Sequence, residues 1–124
     1  MSETLRYTKL VSTSDGGSRF EDVKIDLTEQ VVSAGVPSMW VGSLAKPASV
    51  VFLRSAEFDS EPHPAPREQW VVMLRGAVEV EATDGERRRF EPGDFLFVAD
   101  TTGRGHITRT IGEPPLEALF LQPA

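Results

Sequence analysis

Imidazole is the side chain that most readily moves a proton or holds a metal near neutral pH, and the 124-residue chain has two, His63 and His106. His63 lies in residues 61–76, EPHPAPREQWVVMLRG, a proline-rich lead into an apolar run. His106 ends residues 104–106, RGH, a glycine-flanked turn. Side chains alternate in an extended segment, so His63, Ala65, Arg67, Gln69, Val71 and Met73 are expected on one face. Pro62, Pro64 and Pro66 share the other parity with Trp70, Val72 and Leu74. Proline has no amide donor, so such a segment donates hydrogen bonds on one side only, as at a sheet edge or a barrel mouth.

These residue types allow several chemistries. Imidazole suits proton transfer and binding of zinc, nickel, copper or iron(II). A guanidinium at Arg67, on the His63 face, would pair a carboxylate or phosphate through two parallel hydrogen bonds. Thr101, Thr102 and Arg104 would line the same mouth from the facing loop. Each residue also has a plain structural reading. His63 fits an exposed loop, His106 a strand cap, and Gln69 a partner for a buried backbone group. Arg67 can turn to Glu68 or solvent. Trp70 and Met73 are expected in the core or an interface, and Phe95 and Phe97 in the barrel packing.

The elements that position these groups are short. Nine prolines and ten glycines punctuate the chain and leave little room for long helices, which points to many short strands in a sandwich or barrel. Strands are expected over 5–12, 23–27, 38–44, 48–53, 69–74, 77–83, 86–90, 94–99, 106–111 and 116–121. Residues 28–34 could make one helical turn. Residues 69–74, QWVVML, are apolar on both faces and must be covered on both sides, by a second sheet and by a partner subunit. Asp84–Gly85 is a hairpin signal because both residues tolerate positive φ.

Composition bounds the rest. The length fits one all-β domain over residues 1–124 with one core. The absence of cysteine rules out disulfides and thiolate chemistry and fits a cytoplasmic setting. No apolar run is long enough for a membrane span, and the first residues lack the apolar core of a signal peptide. A net charge of −6 argues against a nucleic-acid partner; Arg87–Arg89 lie beside Glu86 and Glu91 and read as solvated strand surface. No nucleotide-binding loop or nucleophile-elbow serine is present.

With those motifs in view, residues 63–106 resemble the cupin superfamily of double-stranded β-helix (jelly-roll) barrels. The first cupin motif has His-x-His, a glutamate four positions on and a glycine seven beyond. Here His63, Ala65, Gln69 and Gly76 take those places. The second begins with a glycine and ends in Gly-x-x-His, matched by Gly93 and by Gly103 to His106. The gap from Gly76 to Gly93 suits the family's hairpin, and strands within 5–53 would complete the barrel or a dimer edge. The loop between Gly93 and Gly103 is two residues longer than the family's, and its usual proline is replaced.

The resemblance implies one divalent transition metal (Fe, Ni, Zn or Mn) on His63, Gln69 and His106, with Asp100 orienting a histidine from behind. Ala65 and Gln69 depart from the motif: alanine cannot ligate, and glutamine brings no charge. Three functions therefore stay open. One is a metal-dependent oxygenase, isomerase or lyase acting on a small molecule, anionic if Arg67 holds it. The second is a metal-free cyclase or isomerase with His63 or His106 as acid or base. The third is a non-catalytic ligand-binding module. A homodimer is implied as well.

Overall fold

The computed structural model describes residues 3–31, 33–56 and 61–124. β1 (Glu3–Ser12) and β2 (Ser18–Gln30) form a long antiparallel hairpin in which Ser12 faces Ser18 and Glu3 faces Leu27. β3 (Met39–Val41) continues outward from β2. β4 (Pro47–Ser55) lies at the opposite end of the same sheet. β5 (Gln69–Arg75) and β6 (Ala77–Glu81) are joined at Gly76, and β7 (Arg87–Phe90), β8 (Phe95–Ala99), β9 (Ile107–Ile111) and β10 (Leu116–Pro123) complete the chain. They make a seven-stranded sheet, ordered β3-β2-β1-β8-β5-β10-β4, and a three-stranded sheet, β7-β6-β9.

The core lies between the sheets because period-two alternation gives each one apolar face. Leu10, Met73, Leu96, Val98, Leu116 and Ala118 from the larger sheet meet Val78, Val80, Ala82 and Phe90 from the smaller. The charged parity of the small sheet points outward. Glu79 and Glu81 pair there with Arg87 and Arg109; Arg88, opposite Val80 on the other parity, reaches across to Asp22 of the large sheet and also pairs with Glu86. The Arg109 and Arg87 guanidiniums hold the Glu81 carboxyl below its ordinary value, the Arg109 hydrogen bond most strongly.

The strand pattern follows the sequence closely, with four differences. Residues 28–30 make no helical turn; they extend β2, where Thr28 and Gln30 face Val41 and Met39. Val32 lies outside the described residues. At the β6–β7 hairpin only Gly85 has positive φ, at 91°. Gly85 N donates to Ala82 O (3.0 Å) and Glu86 N to Asp84 Oδ1 (2.9 Å), so Asp84 acts through its side chain within a longer turn.

The third difference is in β8. Leu96 and Val98 are buried inward, while Phe95 and Phe97 lie on the outer face with Tyr7 and Trp70, ring centroids 4.8–6.2 Å apart. That aromatic layer packs around Trp70 on the second apolar face of β5, where Leu74 stays exposed. The fourth is the placing of the N-terminal strands. β1 runs parallel to β8 inside the large sheet, Leu10 opposite Val98, whereas β4 is an edge strand paired only to β10.

Candidate active site

The proline-rich segment behaves as its missing amides require. His63 N donates to His106 O (3.1 Å), and Ala65 N donates to Asp100 O (3.0 Å), two alternate donors facing the same loop. His106 N returns a bond to His63 O (3.0 Å), closing an antiparallel bridge between the two histidines. The imidazoles therefore lie side by side, ring centroids 5.0 Å apart and tilted by 49°.

Gly105 permits this approach. Its φ is +72°, and a Cβ there would sit 1.9 Å from His63 O, a distance no side chain can occupy. The other side of the loop is clamped by the β1–β2 turn. Buried Ser18 donates its hydroxyl to Gly105 O (2.6 Å), and Arg104 N donates to Gly16 O (2.8 Å). Thr83 ties in from the β6–β7 turn, its Oγ1 accepting from Ser18 N (2.7 Å). In the same turn Asp15 accepts from the Thr13 hydroxyl and the Gly17 amide, which hold its carboxyl below the ordinary value.

Each ring has one nitrogen committed. His63 Nδ1 lies 2.9 Å from Glu61 O. A carbonyl only accepts, so that nitrogen carries the proton. His106 Nδ1 lies 2.5 Å from Asp100 Oδ2, and Asp100 is fully buried. Here too Nδ1 is the donor when the carboxylate is ionised. Both rings are thus left with an Nε2 lone pair. Asp100 Oδ1 has no hydrogen-bond partner, and with Trp70 Nε1 it is one of two sealed, unpartnered side-chain atoms among the described residues. A buried carboxylate with only one oxygen satisfied is electrostatically suited to a cationic neighbour.

The histidines border a cavity of about 320 Å³ between the sheets. Its walls are apolar, from Val71, Met73, Val78, Leu96, Leu116 and Phe120 among others, and its polar groups are His63, Gln69, His106 and Thr108. No arginine, lysine, aspartate or glutamate lines it among the described residues. Gln69 is buried, and its Oε1 accepts from Gln122 Nε2 (3.0 Å).

Four expected lining residues lie elsewhere, among them Thr102, which is exposed and bonds Ser12 instead. Arg67 is exposed and donates to Pro123 O (2.8 Å). The chain bends at Pro66 and Arg67, and alternation fails wherever the backbone is not extended; it resumes with Gln69 on the cavity side. Thr101 and Arg104 are exposed on the loop and do not border the cavity. An anion would therefore meet no guanidinium inside. Two polar residues were missed. Thr108 follows His106 by two in the β9 direction, so parity alone could have found it. Gln122 had no local signal, because its place depends on the register that sets Leu121 opposite Trp70.

The cupin-domain family model matches residues 49–121, more than half of the chain. This chain is a cupin. No curated protein matches it. The all-β architecture of two sheets is that of the family, and the departures noted in its first motif fall at the cavity.

A divalent metal fits these residues poorly. The chain offers two neutral imidazoles, an amide oxygen already bonded to Gln122, and alanine where another ligand would stand. The nearby carboxylate is engaged by His106. No group of three or more His, Cys, Asp or Glu converges among the described residues.

The geometry predicts that Gly105→Ala, by forcing a Cβ into His63 O, destabilises the fold by about 1–3 kcal/mol. Chemical denaturation measures this. Amide exchange at His63 and His106 should accelerate more than exchange at Val78 or Val80.

Proposed function

We propose that this cupin binds a small, neutral, mostly apolar molecule between its sheets and moves a proton on it through His106 Nε2, without a metal. The observation that carries this reading is the fully buried Asp100 on Nδ1 of a cavity-lining histidine. A carboxylate in that place fixes the tautomer, leaves Nε2 as the acceptor and stabilises the imidazolium formed when the proton arrives. The apolar walls keep water from competing for that proton. Within the reaction classes open to a cupin, proton transfer of this kind belongs to isomerisation or cyclisation. His63, at the exposed rim, has the right polarity to accept a hydrogen bond from the same ligand.

The reading extends to place and assembly. The cysteine-free chain fits a reducing cytoplasm, and no helix of the described residues is long and apolar enough to cross a membrane. Val50, Val51 and Phe52 are exposed on edge strand β4, a surface suited to a second copy. Light scattering at micromolar concentration should give a dimer mass; a monomer would contradict the assembly part of the proposal.

A probe for a base in an apolar cavity is 5-nitrobenzisoxazole, which opens to a coloured nitrophenolate when its ring C–H proton is removed. Wild-type protein should open it about 10²-fold or more faster than His106→Gln, and pretreatment with a strong chelator should leave the rate unchanged. Equal rates in the two proteins, or loss of the rate on chelation, would overturn the reading.

A further inference from the structure

Glutamine can present either an acceptor or a donor to a ligand, and which it presents depends on what holds its other end. Gln122 Nε2 donates to Gln69 Oε1 at 3.0 Å. β10 carries Gln122 past Leu121, which faces Trp70 on β5, and so sets the two amides across from each other. With its oxygen turned to Gln122, Gln69, which lines the cavity, has its NH2 on the other side of the amide. That nitrogen is not among the sealed, unpartnered atoms, which are Trp70 Nε1 and Asp100 Oδ1. The cavity therefore holds an oriented donor at Gln69 and lone-pair acceptors at His63 and His106.

We infer that Gln122 is a positioning residue that turns the Gln69 amide so that the cavity selects a neutral ligand carrying a carbonyl oxygen. This rests on the reading of His106 as the base and names the substrate class for that site. A charged carboxylate or phosphate would leave water for a pocket without arginine or lysine, at a cost one amide donor does not offset. A carbonyl oxygen needs only a neutral donor. The polarity also matches the reaction. His106 Nε2 takes a proton from the carbon beside the carbonyl. The C–H pair becomes the new C=C bond, and the carbonyl π pair moves onto oxygen, where the Gln69 N–H holds the developing charge. Where the ligand carries a C=C bond next to that carbon, the enolate extends over it; return of the proton from His106 to the far carbon shifts the double bond into conjugation, re-forms the carbonyl and completes an isomerisation with no oxidant or reductant.

The test compares acetophenone with α-methylstyrene, which has the same shape with CH2 in place of the carbonyl oxygen. Binding is followed by NMR titration of wild-type protein, Gln122→Glu and Gln122→Met. A glutamate at 122, when ionised, only accepts, so it should draw the Gln69 NH2 away and leave Gln69 oxygen toward the cavity. Wild type should favour acetophenone by about 3- to 10-fold, the range of a neutral hydrogen bond. Gln122→Glu should reduce that ratio to one or below with α-methylstyrene binding unchanged, and Gln122→Met should fall between. A residue that only stabilised the fold would weaken both ligands together. Equal affinities in wild type, or a ratio that survives both substitutions, would overturn the inference. If base activity toward 5-nitrobenzisoxazole depends on His106 while the two ligands bind equally, this inference alone fails. If His106 is also dispensable, the underlying reading fails with it.

Discussion

The site depends on one close approach of two backbones. His63 and His106 exchange two amide–carbonyl hydrogen bonds, which is possible only because residue 105 has no Cβ. That bridge sets the imidazoles side by side and brings the proline-rich segment against the loop that carries Asp100. The Ser18 hydroxyl on Gly105 O and the Gly16 carbonyl on Arg104 N hold the loop from its other side. Sequence positions almost 90 residues apart are thereby fixed around one histidine. The fold supplies the walls, and this contact sets the two imidazoles beside each other at the cavity.

Much of this was legible in the chain. Glycines and prolines divided it into strands, and alternation sorted Val78, Val80 and Ala82 from Glu79 and Glu81, because burial on one face of a sheet leaves a period-two trace. The one-sided donor pattern at residues 61–66 was readable from proline chemistry alone. What was not legible depends on register and bends. Nothing local places β1 parallel to β8, or Gln122 across from Gln69. The bend at Pro66 and Arg67 moved the Arg67 guanidinium out of the cavity, since alternation requires extended backbone. Phe95 and Phe97 took the outer face because Leu96 and Val98 filled the core; both parities of that strand are apolar, so the pattern did not choose between them.

Within the cupin fold, function lives in the side chains at the cavity. Here two substitutions relative to the family motif shift its character. Ala65 adds apolar surface at a ligand position, and Gln69 replaces a charge with an amide that a neighbour can orient. The outcome is a cavity with neutral polar groups, directional hydrogen bonds and one buried carboxylate held behind an imidazole. Under the proposed reading, such a site would discriminate by hydrogen-bond polarity and shape more than by charge.

The central claim is that His106 presents Nε2 as a proton acceptor because Asp100 holds Nδ1–H. Long-range proton–nitrogen NMR of the imidazole reads the tautomer directly. At a pH where His106 is neutral, the account predicts a protonated Nδ1 and an unprotonated Nε2, with Nε2 shifting when acetophenone enters the cavity. A neutral His106 protonated on Nε2 would contradict it.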